Sequence, residues 1–197
     1  MPHALVIVGV REVEPYVARL RARFDRSDRR GLGAHVTLLH APMPPEGIDA
    51  AMLAAVAEAI SGVAPFRYAV TGLAHFPGTI YLAVDPWTPF NELHARLVAR
   101  LAPPRPGTAG RKPEREFVPH ISVVRSARRR DRAPGQPESA IDALPVVEVE
   151  LIPLLDATPL RCECREIVLL EDSSGVWQPV RTFALSDCTD SPSPAPS

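Results

Sequence analysis

A short pattern occurs twice in this chain: His35-Val36-Thr37-Leu38 and His120-Ile121-Ser122-Val123 both read His-x-[Ser/Thr]-apolar. An imidazole with an ordinary pKa of about 6.5 can stand neutral in one copy and protonated in the other near neutral pH. Such a pair suits phosphodiester chemistry. One ring takes a proton from the attacking water or hydroxyl, the other protonates the leaving oxygen, and the hydroxyls of Thr37 and Ser122 donate to the non-bridging oxygens. The scheme requires neither metal nor cofactor. A lone His-x-Thr carries little weight, because a strand histidine held by one hydrogen bond explains it; the repetition points to function.

The repeat needs two strands to present it. Side chains alternate along a strand, so His35 shares a face with Thr37 and His120 with Ser122, while Val36, Leu38, Ile121 and Val123 anchor the opposite face in a core. Two such strands across a cleft place two imidazoles and two hydroxyls around a phosphate-sized volume. Strict alternation turns His40 away from His35, as a surface or loop-capping histidine. It also sets Arg125 opposite His120 unless the strand ends or twists there.

The remaining elements follow from pattern. The β-branched run 4–10 is a buried strand. Over 12–24, Val13, Tyr16, Val17, Leu20 and Phe24 recur at helical spacing, with Arg19, Arg21 and Arg23 mostly on the other side. Asp49 caps a second helix that stops at Ser61-Gly62, and Thr88-Pro89 opens a third that ends before Pro103. Strands are expected at 66–73, 79–84, 121–124, 146–151, 163–170 and 176–185. The Pro-, Gly- and Arg-rich stretches 102–116 and 126–136 read as surface loops.

Other side chains invite a role. His75, Phe76 and Tyr81 could line the cleft and stack a nucleobase. Arg125, Arg128, Arg129, Arg130 and Arg132 follow the second motif, and Arg105, Arg111, Lys112 and Arg115 precede it, so a polynucleotide could be held beyond the reacting bond. His94 falls on the buried stripe with Phe90, Leu93 and Leu97 and reads as a satisfied core histidine. Cys162 and Cys164 lack a second pair at zinc spacing. Gly31-Leu32-Gly33 lacks the downstream residues of a phosphate-cradling loop.

The whole chain sets bounds. It has 197 residues, 46% hydrophobic and 23% charged, and a net charge of -1, the composition of a globular protein rather than a nucleic-acid coat. Three cysteines, two of them one residue apart, make a poor disulfide scaffold and fit a reducing cytoplasm. The apolar N-terminus is too short and lacks the basic flank of a signal peptide, and no run is long enough for a membrane span. A single domain is expected over 1–186, with residues 187–197 a disordered Ser/Pro-rich tail.

The sequences Gly33-Ala34-His35-Val36-Thr37-Leu38-Leu39 and Phe117-Val118-Pro119-His120-Ile121-Ser122-Val123-Val124-Arg125, with an apolar strand pair around Trp177 and Phe183, resemble the 2H phosphoesterase superfamily. Within it they are similar to the bacterial 2'-5' RNA ligase and RNA 2',3'-cyclic phosphodiesterase proteins. The resemblance implies an α+β, bilobal fold with two pseudo-symmetric antiparallel sheets forming a V-shaped cleft and helices packed outside. It implies a monomer that opens 2',3'-cyclic phosphates of RNA 3'-ends or nucleotides to a 2'-phosphate, with reversible 2'-5' joining of RNA ends as a further activity. His35 is then the acid, His120 the base, Thr37 and Ser122 the phosphate holders, and Arg125 a further phosphate contact. One departure stands out: His40 occupies the place after the first motif where the RNA-end enzymes commonly carry a stacking aromatic. Two other readings remain open, a non-catalytic nucleotide or RNA-end binder with the same cleft, and a metallohydrolase using the histidines as ligands.

Overall fold

The computed structural model describes residues 3–25, 27–41, 47–101, 116–126, 140–157 and 160–186. Among these residues are eight strands and four α-helices. They are β1 (Ala4–Gly9), α1 (Glu14–Phe24), β2 (His35–Ala41), α2 (Ala50–Ile60), β3 (Phe66–Phe76), β4 (Thr79–Asp85), α3 (Thr88–Leu101), β5 (His120–Arg125), α4 (Leu144–Ala157), β6 (Arg161–Cys164), β7 (Glu166–Glu171) and β8 (Gln178–Ala184). The sheet order is β6-β3-β4-β5-β2-β1-β7-β8, antiparallel throughout. The fold is α+β, as expected.

The two expected halves are four strands each, β6-β3-β4-β5 and β2-β1-β7-β8. They meet at a single pair, Val36 opposite Ile121, so the two motif strands are themselves the seam. The sheet curls because the short run 161–171 feeds both halves. β6 pairs with β3 at one edge, and after Arg165 the chain continues as β7 beside β1 in the other half. The sequence reads this run as one strand; its division between two partners is a non-local fact that no local pattern carries.

Among the described residues the α-helices pack on one face of the sheet. Val17, Leu20 and Phe24 of α1, Met52 and Val56 of α2, Phe90, Leu93 and Leu97 of α3, and Val147 and Leu151 of α4 pack against Val6, Val8, Val36, Leu38, Ile80, Leu82, Ile121 and Val123. On the other face of the second half, Leu5, Ile7, Leu32, Leu170 and Trp177 form a smaller apolar floor. The capping expectation at Asp49 holds: its carboxylate accepts the Met52 N–H at 2.8 Å.

One expected strand is a helix. The run 146–151 alternates Val and Glu and reads as β, yet it lies in α4, where Val147 and Leu151 are buried four residues apart and Val149 is open to solvent. Pro145 fits the first turn, whose N–H groups are unpaired in any helix. The Arg-rich stretches 105–115 and 128–132 and the tail 187–197 lie outside the described residues.

Candidate active site

The pairing of Val36 with Ile121 arranges the chemistry. In an antiparallel pair the flanking positions oppose each other on the far side of the sheet, so His35 lies across from Ser122 and Thr37 across from His120. Each imidazole thus faces the hydroxyl of the other motif. His35 and Ser122 are both only 2% exposed, whereas His120 and Thr37 are partly open.

Both rings are held alike. His35 Nδ1 lies 2.7 Å from the Gly33 carbonyl and His120 Nδ1 2.7 Å from the Val118 carbonyl, each two residues before its histidine. A carbonyl only accepts, so Nδ1 carries the proton in both rings and Nε2 is left as the working nitrogen. Neutral, Nε2 takes a proton; charged, it gives one. Burial pushes the His35 pKa down to about 4, opposed by the bond to Gly33 and aided by the positive charges of Arg21 and Arg125. Burial, and then Arg125, also lowers His120. Phe76 and Tyr81, stacked 4.4 Å apart, present their rings edgewise to His120 at 5.3 and 5.1 Å.

His40 does not point away. Val6 pairs with Leu39 but Ile7 with Thr37, so Leu38 is an extra residue in β2, a β-bulge. One inserted residue reverses the alternation beyond it, and His40 joins His35 and Thr37 on the cleft face. The second motif strand does the same: Ile80 pairs with Val124 but Tyr81 with Ser122, leaving Val123 extra in β5. Arg125 is thereby returned to the face of His120 and Ser122, and its Nε donates to Ser122 Oγ at 3.2 Å. Each bulge follows its histidine by three residues and turns inward the polar residue two further on.

Helix side chains satisfy carbonyls at or beside the bulges. His94 of α3 lies with Nδ1 2.7 Å from the Leu38 carbonyl, its ring stacked on Phe117 at 4.1 Å. It is the satisfied histidine that its place on the buried stripe implied. Arg21 of α1 donates through Nη1 to the Ser122 carbonyl at 3.0 Å and through Nη2 to the Leu32 carbonyl at 2.5 Å. The sequence placed Arg21 with the solvent-facing arginines; it is fully buried, with Asp25 Oδ2 3.6 Å from Nη2. Asp25 Oδ1 in turn accepts the N–H and hydroxyl of Ser27.

A cavity of about 390 Å³ opens beside His35, lined among others by Thr37, His40, Arg125, Arg30 and Trp177. His75 is separated from it. It pairs with Ile80 on the face opposite Phe76 and Tyr81, and lines another hollow with Ala140 and Ile141. Of the three residues expected to flank the substrate, only Phe76 and Tyr81 stand beside a motif histidine. Among the described residues no group of three or more His, Cys, Asp or Glu side chains is placed to hold a metal ion, and no helix is long and apolar enough to cross a membrane.

The family model described as the 2'-5' RNA ligase superfamily matches residues 10–175. No curated protein matches the sequence. Among solved structures, TT0787 of Thermus thermophilus is 19% identical with a TM-score of 0.59, over 94% of this chain and 98% of that one. Escherichia coli LigT complexed with 3'-AMP is 13% identical with a TM-score of 0.54, over 95% and 100%. LigT complexed with phosphate is 15% identical with a TM-score of 0.53, over 94% and 98%. At these identities the likeness is one of fold.

Proposed function

Because the chain belongs to the 2'-5' RNA ligase superfamily, we propose that it is a phosphodiesterase opening 2',3'-cyclic phosphates of RNA ends or nucleotides to a 2'-phosphate, with reversible 2'-5' joining as the same ring opening by a ribose 5'-hydroxyl in place of water. The observation that carries this reading is the register at the seam, which sets each motif histidine across from the hydroxyl of the other motif.

The chemistry follows from the hydrogen bonds. Water attacks phosphorus, and a neutral Nε2 removes its proton as the new P–O bond forms. The bond to the ribose 3'-oxygen breaks, and that oxygen takes a proton from the other Nε2–H, leaving the 2'-phosphate. Burial keeps His35 neutral in the free protein, the state of a base. The less buried His120 is the easier ring to protonate and serves as the acid. This order is the reverse of the one that the family resemblance implies. Ser122 Oγ accepts from Arg125 and so has its own proton free for a non-bridging oxygen. Thr37 donates to the other, and the guanidinium of Arg125 offsets the charge that builds there.

The assignment has a pH signature. The working form needs His35 neutral, hence a pH above about 4, and His120 protonated, hence a pH below a pKa itself held under 6.5. The profile of kcat/KM, which reports the free enzyme, should therefore be a bell with its maximum on the acid side of 6.5. Arg125→Ala removes a positive neighbour of His120 and should move the falling limb to higher pH. A wild-type plateau extending to about pH 8 contradicts the assignment.

The activity is tested by incubating the purified protein in EDTA with a 2',3'-cyclic nucleotide and with RNA ending in a cyclic phosphate, and locating the product phosphate. A 2'-phosphate supports the reading. Salt-sensitive binding with no turnover of any cyclic phosphate or 2'-5' linkage supports the binder instead.

A further inference from the structure

The hydrogen bond that holds the buried motif histidine continues one step further back. His35 Nδ1 donates to the Gly33 carbonyl. That carbonyl and the Ala34 N–H belong to one peptide group and point opposite ways, and the Ala34 N–H donates to the carboxylate of Glu14, the first residue of α1. The approach is close: a Cβ at Gly33 would stand 3.1 Å from Glu14 Oε2, so the glycine leaves the carboxylate its room. The other motif has no counterpart. His120 Nδ1 donates to the Val118 carbonyl, whose peptide group ends in Pro119, and proline has no N–H to give. The two histidines, alike in how their rings are held, thus differ in what stands behind them.

We infer that Glu14 is a positioning residue for His35: through the Gly33–Ala34 peptide its carboxylate fixes the Nδ1–H form of the ring and strengthens Nε2 as a base. A peptide whose N–H faces a negative charge is polarised, and its carbonyl becomes the better acceptor. That carbonyl then keeps the proton on Nδ1, which an unconstrained neutral ring places on either nitrogen. It also favours the imidazolium that forms when Nε2 takes a proton. No proton moves along this path. The other charges that bear on His35 are Arg21 and Asp25, within and just past α1, and Arg125 of β5; the two arginines oppose its protonation and Asp25 favours it. The strand β1, paired on the other side of β2, contributes none. Burial works against charge on His35, so a base in this position gains from a carboxylate behind it, and the acid His120 does without one.

This inference deepens the roles proposed above and rests on them, but its first test does not depend on turnover. Nitrogen NMR of labelled histidines at about pH 7.5, where both rings are neutral, should show His35 and His120 protonated at Nδ1 in wild type. In Glu14→Ala the two His35 nitrogens should converge as the tautomers mix, while those of His120 stay in place. Glu14→Gln, whose amide oxygen still accepts the Ala34 N–H, should keep the tautomer. Gly33→Ala, which crowds the carboxylate, should act as a milder Glu14→Ala. On a cyclic phosphate kcat should fall about tenfold in Glu14→Ala, the worth of one charge-assisted hydrogen bond, and less in Glu14→Gln. Losing the negative charge makes the imidazolium harder to form, so the rising limb of the profile should move to lower pH. A merely structural role would lower stability and leave both the tautomer and that limb unmoved. His35 signals that stay in place in Glu14→Ala, or that move no more than those of His120, overturn the inference. The chemistry is judged separately: a tautomer that responds to Glu14 in a protein that turns over no cyclic phosphate keeps the positioning and removes the catalytic reading.

Discussion

Replacing His120 with alanine is expected to lower kcat on a 2',3'-cyclic phosphate by roughly 10² to 10⁴, the worth of one positioned proton transfer. His35→Ala should cost a similar factor. The double variant should fall little further, because acid and base act in one step and removing either already breaks it. The two replacements differ in what else they disturb. His120 is partly open, and its loss removes edge contacts to Phe76 and Tyr81. His35 is buried, and its loss leaves a hole and frees the Gly33 carbonyl. Stability should therefore drop more for His35→Ala, while product binding through Thr37, Ser122 and Arg125 persists in both. Steady-state kinetics in EDTA, with a melting curve for each variant, separates the effects. Either single variant retaining kcat within about tenfold of wild type removes that histidine from the chemistry.

Much of this site was legible before the fold was known. The paired His-x-[Ser/Thr] pattern located both histidines and both hydroxyls, and strand parity put each histidine beside its own hydroxyl. Parity failed only five residues on, and the signal for its failure was present. His35-Val36-Thr37-Leu38-Leu39-His40 and His120-Ile121-Ser122-Val123-Val124-Arg125 each break alternation with an apolar doublet. Both members of each doublet are buried, which a regular strand with one open face cannot achieve and a bulge can. Arg21 was hidden differently. It sits in the stripe of Val17, Leu20 and Phe24, spaced as a buried helix face, but its charge argued for solvent. The partners that admit it, carbonyls at Leu32 and Ser122, come from elsewhere in the chain. The helix α4 was missed because Val and Glu alternate there; its burial is decided by Val147 and Leu151.

The two halves solve one problem twice. A bulge frees backbone groups that the strand ladder would have paired, and buried groups of that kind need partners. His94 supplies one from α3 and Arg21 supplies one from α1, so each inward-turned polar residue is backed by a helix side chain on the far side of the sheet. The cationic rim of the cleft is in this sense built from behind.

Arg21→Met is therefore expected to destabilise the protein by about 3–5 kcal/mol, the usual cost of removing one partner from a buried ion pair. The loss strands the Ser122 and Leu32 carbonyls and leaves the buried Asp25 carboxylate without its cation. Urea denaturation at neutral pH measures it. Adding Asp25→Asn should recover part of the loss, since the amide keeps an oxygen for Ser27 while shedding the unpaired charge. Arg21→Lys should fall between, because a single ammonium cannot reproduce the fork that reaches two carbonyls. A structural strut alone would lower stability and leave the kinetics of the folded fraction intact. A strut that holds the Val123 bulge should also weaken phosphate binding, because a strand relaxed toward regular pairing turns Arg125 back toward the core. KM should then rise more than kcat falls, and more in Arg21→Met than in Arg21→Lys. A loss of stability below about 1 kcal/mol shows that the buried guanidinium is not what joins the two motif segments.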